Sequence, residues 1–312
     1  MEVPVLPFID RLDAAVRRCR NPVLVGLDPR ADSLPDGMLS GGKTASWVEI
    51  AAAYGRFCRE VIDVVAPLVS AVKPQAAFFE QLGPAGMTVL AEVIQYAQRQ
   101  GLLVIFDGKR NDIGSTATAY AEGLLGPGGQ SPWGADALTV SPYLGDDSLQ
   151  PFVDVARQRA GGVFVLVKTS NPGGKMLQDL VADGRPLYRH VAAYVEGLAA
   201  KTAAACGYGS VGAVVGATYP AQLAELRGEM PHTWFLVPGF GSQGGTARDV
   251  AAAFDSAGRG AIVNNSRGII FAHRIKPYSE RYGSARWQEA VAAATRDMID
   301  QLRTETPAGK LA

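Results

Sequence analysis

A dense group of ionisable residues follows directly on an apolar run. Residues 102–106 read LLVIF, and residues 107–112 read DGKRND. Asp107 and Lys109 are two positions apart, so on an extended strand both side chains point to the same side. A lysine beside carboxylates stays protonated, because nearby negative charge favours its charged form. Such a fixed ammonium can stabilise negative charge on a bound molecule and can donate a proton to it.

Two further charged residues can join this pair. Lys73 lies near the end of the run SAVKPQ (70–75), and Asp112 comes one short turn after Lys109. Two lysines and two carboxylates would then alternate within contact distance. Burying ions is costly unless they pair closely, so a purely structural site would be better built from apolar residues. We therefore predict that Lys73, Asp107, Lys109 and Asp112 are catalytic.

A second group of residues is suited to an anion. The segment PGFGSQGG (238–245) offers backbone N–H groups in a glycine-rich turn, which we expect at the start of the next helix. Gln243 can add a side-chain donor, and Arg267 in NNSRG can grip phosphate oxygens with two hydrogen bonds. The combination predicts a phosphate site.

Eight apolar runs of strand length position these residues. They alternate with Ala-rich amphipathic segments, which indicates a parallel sheet covered by helices. Eight such units favour a closed (β/α)8 TIM barrel of the α/β class. The alternative is an open doubly wound sheet, but the turn after the first run lacks G-x-G-x-x-G. The runs are 23–28, 70–75, 102–109, 137–141, 162–170, 211–217, 234–240 and 260–266.

The chain ends and the loops predict how the barrel is organised as a domain. Apolar residues at helical spacing predict an N-terminal helix at about 7–20, and the tail at about 304–312 is expected to fray. No linker divides the chain, so residues 1–312 are expected to form one barrel domain. The loops 29–45 and 171–186, after the first and fifth runs, are long. Active sites of such barrels lie at the carboxyl ends of the strands, where the polar residues gather.

Composition excludes several classes of function. The chain has 30 lysines and arginines against 30 aspartates and glutamates, so no net positive charge favours nucleic acid or an anionic membrane. No apolar run is long enough to span a bilayer, and the N-terminus lacks a signal-peptide pattern. Three widely spaced cysteines are typical of a reducing cytoplasm. The scattered histidines and cysteines give no zinc-ligand spacing, so no metal site built from histidine and cysteine is expected.

At these residues the sequence resembles the orotidine 5'-phosphate decarboxylase family. The family signature D-x-K-x-x-D-I-[GP]-x-T matches residues 107–116, with Gly114 where many members have proline. Further matches occur in family order: Asp28 in GLDP, Lys73 in VKPQ, Ser170 in KTSNPGG, Pro238 and Gln243 in VPGFGSQGG, and Arg267 in NNSRGI. Their forms resemble the longer bacterial branch of the family.

The resemblance implies the loss of CO₂ from orotidine 5'-monophosphate to give UMP, the last step of de novo pyrimidine synthesis, in the cytoplasm. It implies no metal and no organic cofactor. It also implies a homodimer with shared active sites, in which Asp112, Ile113 and Thr116 reach into the partner's pocket. Membranes and nucleic acids are not expected partners.

Individual roles follow from the resemblance as well. Lys109 would stabilise a carbanion at C6 of the pyrimidine and then protonate it. The other implied contacts are Asp28, Lys73 and Thr116 with the ribose, Ser170 with the pyrimidine, and Gln243 and Arg267 with the phosphate; Ile113 and Pro238 complete the binding site. The long loop after the fifth strand is expected to form part of a closing lid.

Three alternatives remain open on the sequence alone. A Mg²⁺-dependent sugar-phosphate decarboxylase or epimerase of the same barrel group would use a carboxylate to hold the metal. A catalytically silent barrel could bind phosphate ligands or act as a scaffold, although it would have no need of the charge cluster. A Schiff-base aldolase is disfavoured, because a lysine flanked by carboxylates is too well protonated to be a good nucleophile.

Overall fold

Eight parallel strands close into a barrel in the computed structural model, which describes residues 6–40, 44–241 and 244–311. Neighbours around the barrel run in the order β1-β10-β9-β8-β5-β4-β3-β2, and a separate antiparallel hairpin, β6–β7, follows β5. Each of the eight predicted runs overlaps a barrel strand, so the (β/α)8 prediction is confirmed. The strands are β1 Val23–Leu27, β2 Ala71–Pro74, β3 Leu103–Arg110, β4 Ala137–Val140, β5 Gly162–Lys168, β6 Val181–Ala182, β7 Arg185–Pro186, β8 Val211–Val215, β9 Phe235–Val237 and β10 Ala261–Asn265.

Helices lie between the strands and around the barrel. The longest connecting helix, α2, starts at a capping box in which Ser46 and Glu49 satisfy each other's backbone N–H groups. The helices are α1 Phe8–Cys19, α2 Trp47–Val65, α3 Ala77–Glu80, α4 Gly83–Arg99, α5 Gly114–Leu124, α6 Gln150–Gln158, α7 Lys175–Gln178, α8 Leu187–Lys201, α9 Pro220–Glu229, α10 Ala247–Val250, α11 Arg267–Ile270, α12 Tyr278–Arg281 and α13 Trp287–Glu305. None of the helices in the described part of the chain is long and apolar enough to cross a membrane.

Helix α1 closes the amino-terminal end of the barrel. Its apolar face, which includes Phe8 and Leu12, packs against side chains that point into the barrel, such as Leu24 and Phe164. The rings of Phe8 and Phe164 meet edge to face, with centroids 6.0 Å apart. A Cβ atom at position 162 would lie 2.2 Å from Phe8, so only glycine lets the helix come this close. Helix α1 therefore covers the amino-terminal end of the barrel.

The period-two alternation of the strands sets which residues face that open end. Ala71, Ile105 and Ala137 belong to the cluster inside the barrel. Residues two positions later point the same way and lie one layer nearer the carboxyl end. These residues are Lys73, Asp107 and Thr139. The polar layer of the barrel is therefore a direct continuation of its apolar core.

The end of the chain is packed, so the predicted fraying is wrong up to Leu311. Helix α13 continues to Glu305, and residues 307–311 form a 3₁₀ helix in which Ala308 is buried. The Thr306 hydroxyl accepts a hydrogen bond from the N–H of Ala308, and Lys310 Nζ donates to the carbonyl of Ser256. In a frayed end these polar groups would bond to water, whereas here they bond to other residues of the protein.

Candidate active site

A cavity of about 410 Å³ opens at the carboxyl end of the barrel. It lies above the polar layer and combines charged residues with apolar walls, as ligand sites in barrels do. Six of the predicted site residues line it: Asp28, Lys73, Asp107, Lys109, Ser170 and Pro238. The remaining lining residues are Gln75, Thr139, Leu166, Thr169, Asn171, Val214, Leu236 and Asn264.

Asp107 is the centre of the polar network in this cavity. Its Oδ2 lies 2.5 Å from Lys73 Nζ and accepts a hydrogen bond from Gln75 at 3.1 Å. Its Oδ1 lies 2.7 Å from Lys109 Nζ and accepts from the Thr139 hydroxyl at 2.9 Å. Asp107 therefore holds both lysines in fixed positions, one on each oxygen.

Burial and charge fix the ionisation of this network. Burial by itself would raise the pKa of Asp107, but the ammonium groups of Lys73 and Lys109 hold that pKa well below its usual range. Burial would likewise lower the pKa of Lys73, yet the carboxylates of Asp107 and Asp28 raise it. Asp107 and Lys73 are therefore both charged at neutral pH. The side chain of Lys73 is 5% exposed, whereas that of Lys109 is 48% exposed and faces the cavity.

Asp28 has a different environment at the end of β1. Burial raises its pKa, and the nearby charge of Lys73 opposes this only in part. Its Oδ1 has no hydrogen-bond partner among the described residues, and the same holds for Oδ1 of Asn264, which also lines the cavity. Buried acceptors without donors are rare in proteins, so these oxygens suit the hydroxyl groups of a ligand.

Lys109 stands on an irregular piece of backbone. Its φ is +44°, a left-handed conformation that residues with a side chain seldom adopt. The pairing of β3 with β4 shifts here, because Phe106 pairs with Leu138 and Arg110 pairs with Val140. Three residues of β3 thus oppose one residue of β4. Such bulges re-aim side chains and occur next to active sites.

Arg267 lies at the edge of the site. It lines an adjoining groove of about 540 Å³ together with Asp28, Arg30 and Lys109. This position is compatible with the predicted grip on a phosphate group at the mouth of the cavity. Gln243, predicted to assist it, lies outside the described residues.

The helix after the glycine-rich segment has a capped N-terminus, whereas we expected an open one. Helix α10 begins after Thr246, which forms a capping box with Asp249, so a carboxylate already lies at that helix end. The N–H groups of Gly241, Gly244 and Gly245 donate to carbonyls within the loop itself. The expected open helix N-terminus is therefore wrong for the described residues, while the phosphate site, which includes the undescribed Gln243, stays a prediction.

Asp112, Ile113 and Thr116 lie outside this chain's own cavity. Asp112 is half-buried and its carboxylate accepts a hydrogen bond from the N–H of Ile113. The side chains of Ile113 and Thr116 are exposed at the start of α5. Gly114 has φ +51°, which proline cannot adopt, so the departure from the family signature has a backbone reason. The cluster of four charges predicted from the sequence is thus a cluster of three within one chain.

The long segment after β5 is folded back on the strand end. The buried Lys168 forms an ion pair with Asp179, and the rings of Tyr188 and Tyr219 lie 5.3 and 4.7 Å from its Nζ. The neighbouring residues Thr169 and Gln178 also bond to each other. Gln178 accepts a hydrogen bond from the N–H of Thr169 and donates one to the Thr169 hydroxyl. These contacts hold the predicted lid segment beside Ser170 in the cavity wall.

Sequence reasoning missed two partners of the network, Gln75 and Thr139. Gln75 follows Lys73 by two positions, the same spacing that identified Asp107 and Lys109, so this signal was present. Thr139 stands in the apolar run ALTV and gave no signal of its own. Thr139 joins the network only because the bulge in β3 lies opposite it.

Comparisons with known proteins agree with this geometry. The model of the family described as "Orotidine 5'-phosphate decarboxylase / HUMPS family" matches residues 21–282. The chain is 58% identical to the orotidine 5'-phosphate decarboxylase of Rhodopirellula baltica over 96% of this chain and 100% of that protein. It is 42% identical to the enzyme of the same name from Deinococcus radiodurans, over 90% and 92% of the two chains.

Solved structures extend the likeness to three dimensions. The Leishmania donovani OMP decarboxylase structure superposes with a TM-score of 0.74 at 35% identity, over 96% of this chain and 98% of that one. The relatives indicate the same family as the closed barrel and the charged network at its carboxyl end. This chain belongs to the orotidine 5'-phosphate decarboxylase / HUMPS family.

Proposed function

We propose that this protein decarboxylates orotidine 5'-monophosphate to UMP without a metal or an organic cofactor, in the pathway of pyrimidine biosynthesis. The observation that carries the proposal is the arrangement of Lys73, Asp107 and Lys109 inside the cavity. The names of the relatives support the same substrate.

The charge arrangement suits this reaction because the reaction lacks an electron sink. Loss of CO₂ from C6 leaves an electron pair in the plane of the ring, where the ring carbonyls cannot delocalise it. Lys109 supplies a fixed positive charge, and preorganised charge of this kind is often the largest catalytic contribution. Its Nζ then donates a proton to C6, so that the C–C bond breaks, a C–H bond forms and CO₂ leaves.

Other residues of the cavity position the substrate. The unpartnered Oδ1 of Asp28 accepts from a ribose hydroxyl, and Lys73 lies beside it. Ser170 and Pro238, from the opposite wall, contact the pyrimidine. Arg267 binds the phosphate at the mouth, assisted by Gln243. Binding energy from the phosphate then serves to order the reacting end of the molecule.

The proposal includes a homodimer that works in the cytoplasm. Asp112, Ile113 and Thr116 complete the site of the partner, because they lie outside their own cavity. Large apolar side chains are exposed at α5 and in the loop after β4, namely Ile113, Tyr120, Tyr143 and Leu144. A second copy that binds at α5 would cover apolar side chains of this kind. Unpaired cysteines at positions 19, 58 and 206 suit a reducing compartment.

The Mg²⁺-dependent alternative meets an electrostatic obstacle in this site. Both oxygens of Asp107 already contact an ammonium group, and a divalent cation would be repelled by Lys73 and Lys109. Within the described part of the chain, no three acidic, histidine or cysteine side chains are grouped as metal ligands. A silent scaffold would gain nothing from burying Lys73 and Asp107.

The test is a spectroscopic assay of orotidine 5'-monophosphate loss by the purified protein with excess chelator. We expect full activity with chelator present, and UMP as the product. Activity that appears only after Mg²⁺ is added, or only with a sugar phosphate as substrate, would favour the alternative. Binding of UMP without turnover would favour the silent barrel.

A further inference from the structure

Thr139 is a buried polar residue in the wall of the cavity that the mechanism above does not use. It lies in the middle of β4 and is 2% exposed. Its hydroxyl donates to Oδ1 of Asp107 at 2.9 Å and accepts from the backbone N–H of Lys109 at 3.0 Å. One hydroxyl group thus bonds both to the central carboxylate and to the backbone of the reacting lysine.

The bulge explains why this hydroxyl is needed. Between the paired positions Phe106–Leu138 and Arg110–Val140, residues 107–109 of β3 oppose Thr139 alone. The regular ladder is interrupted at this point, and the N–H of Lys109 bonds to a side chain instead of a strand carbonyl. An unsatisfied N–H in this place would be costly. The Thr139 hydroxyl therefore closes the gap that the bulge opens.

The same hydroxyl stabilises a strained conformation. A residue with a side chain at φ +44° persists only where its surroundings hold it in place. Lys109 is held at two points. Its N–H bonds to Thr139, and its Nζ bonds to the oxygen of Asp107 that Thr139 also contacts. Thr139, Asp107 and Lys109 form a closed ring of hydrogen bonds.

We propose that Thr139 is a positioning residue for the decarboxylation: its hydroxyl fixes the bulge that directs Lys109 at the reacting carbon. This inference rests on the proposed function. Since Lys109 acts on charge that develops in the transition state, misplacing it lowers kcat and leaves product binding nearly unchanged. A misplacement of an ångström can lower the rate about 100-fold.

The test compares Thr139→Ser with Thr139→Ala. Both variants lose the methyl group, and they differ only in the hydroxyl. We expect the serine variant to keep kcat within about threefold of the wild type and the alanine variant to lose about 100-fold, with the UMP dissociation constant changed less than about threefold in both. Thr139→Val, which keeps the shape without the hydroxyl, should resemble the alanine variant.

A control variant separates positioning from a general loss of packing. Thr295 is fully buried in α13, and its hydroxyl bonds to the carbonyl of Val291 far from the cavity. Thr295→Val should leave kcat unchanged. Equal kcat values for Thr139→Ser and Thr139→Ala would overturn the proposal, as would a loss of UMP binding that matches the loss of kcat. A wild-type protein without decarboxylase activity would instead refute the proposed function.

Discussion

Lys73 Nζ lies 2.5 Å from Asp107 Oδ2 in the interior of the barrel, and neither side chain is more than 7% exposed. Removing one partner of a buried pair leaves an uncompensated charge and costs about 3–5 kcal/mol. Asp107→Asn should therefore lower the free energy of unfolding by about that amount and abolish turnover. Denaturant titrations and the decarboxylase assay measure the two effects.

The matching double variant separates stability from function. Lys73→Met combined with Asp107→Leu removes both buried charges, and Lys109 remains half exposed to water. We expect most of the lost stability to return while activity stays absent, because apolar replacements of buried pairs are often neutral or stabilising. A double variant no more stable than Asp107→Asn would show that the pair itself stabilises the barrel.

Asp28 gives a prediction for pH dependence. Burial raises its folded pKa above the unfolded value, so the folded protein binds more protons than the unfolded chain between these two values. Stability from this group is therefore greatest at acidic pH and falls as pH rises through that window. Asp28→Asn should remove this fall, stabilise the protein at neutral pH and weaken UMP binding. Unfolding free energies of both proteins, compared across the acidic range, test the sign.

The shared active site predicts complementation between inactive variants. Lys109→Ala should lose activity by about 1,000-fold or more while still binding UMP. Asp112→Ala should also be inactive, since it removes the carboxylate given to the partner. In mixed dimers of the two variants, one site regains both residues, so roughly a quarter of all sites should recover activity after random exchange.

The control for this experiment pairs variants of one cavity. Lys109→Ala mixed with Lys73→Ala cannot restore any site, because both residues line the same chain's cavity. Recovery in this mixture, or none in the first mixture although subunits exchange, would contradict the sharing of Asp112.

Arg267 should contribute to the binding of the phosphate group rather than of the nucleoside. Arg267→Ala is expected to weaken UMP binding by about 10- to 100-fold, the value of a charged hydrogen bond, and uridine binding hardly at all. Isothermal titration with both ligands gives the comparison. Arg248→Ala, at an exposed ion pair with Glu305, should change neither affinity. Equal losses for UMP and uridine would argue against a phosphate contact.

Patterns of period two made much of the barrel predictable. The apolar runs place the strands, and the same alternation carries Asp107 and Lys73 into the cavity. The glycine-rich segment misled the prediction, although T-A-R-D at 246–249 is a readable capping signature. That signature shows that the helix end has its own partner.

Features that depend on tertiary pairing could not be predicted from the sequence. The left-handed Lys109 and the role of Thr139 arise from a register shift between two strands, which ALTV does not reveal. Likewise, the pairing of Lys168 with Asp179 depends on how the segment after β5 folds back. The sequence alone shows Lys168 only as a lysine at the end of the apolar run GVFVLVK and indicates no partner for it.

The ion pair of Lys168 and Asp179 predicts an asymmetric response to substitution. Lys168 is fully buried, whereas the side chain of Asp179 is 37% exposed. Asp179→Asn leaves a buried ammonium without its partner and should cost about 3–5 kcal/mol of stability. Lys168→Met leaves a carboxylate that water can solvate, and the methionine retains contact with the rings of Tyr188 and Tyr219, so its cost should be much smaller. Both variants free the segment after β5 and should raise the KM for substrate. Equal stability losses, measured by denaturant titration, would mean that water reaches Lys168 when its partner is removed.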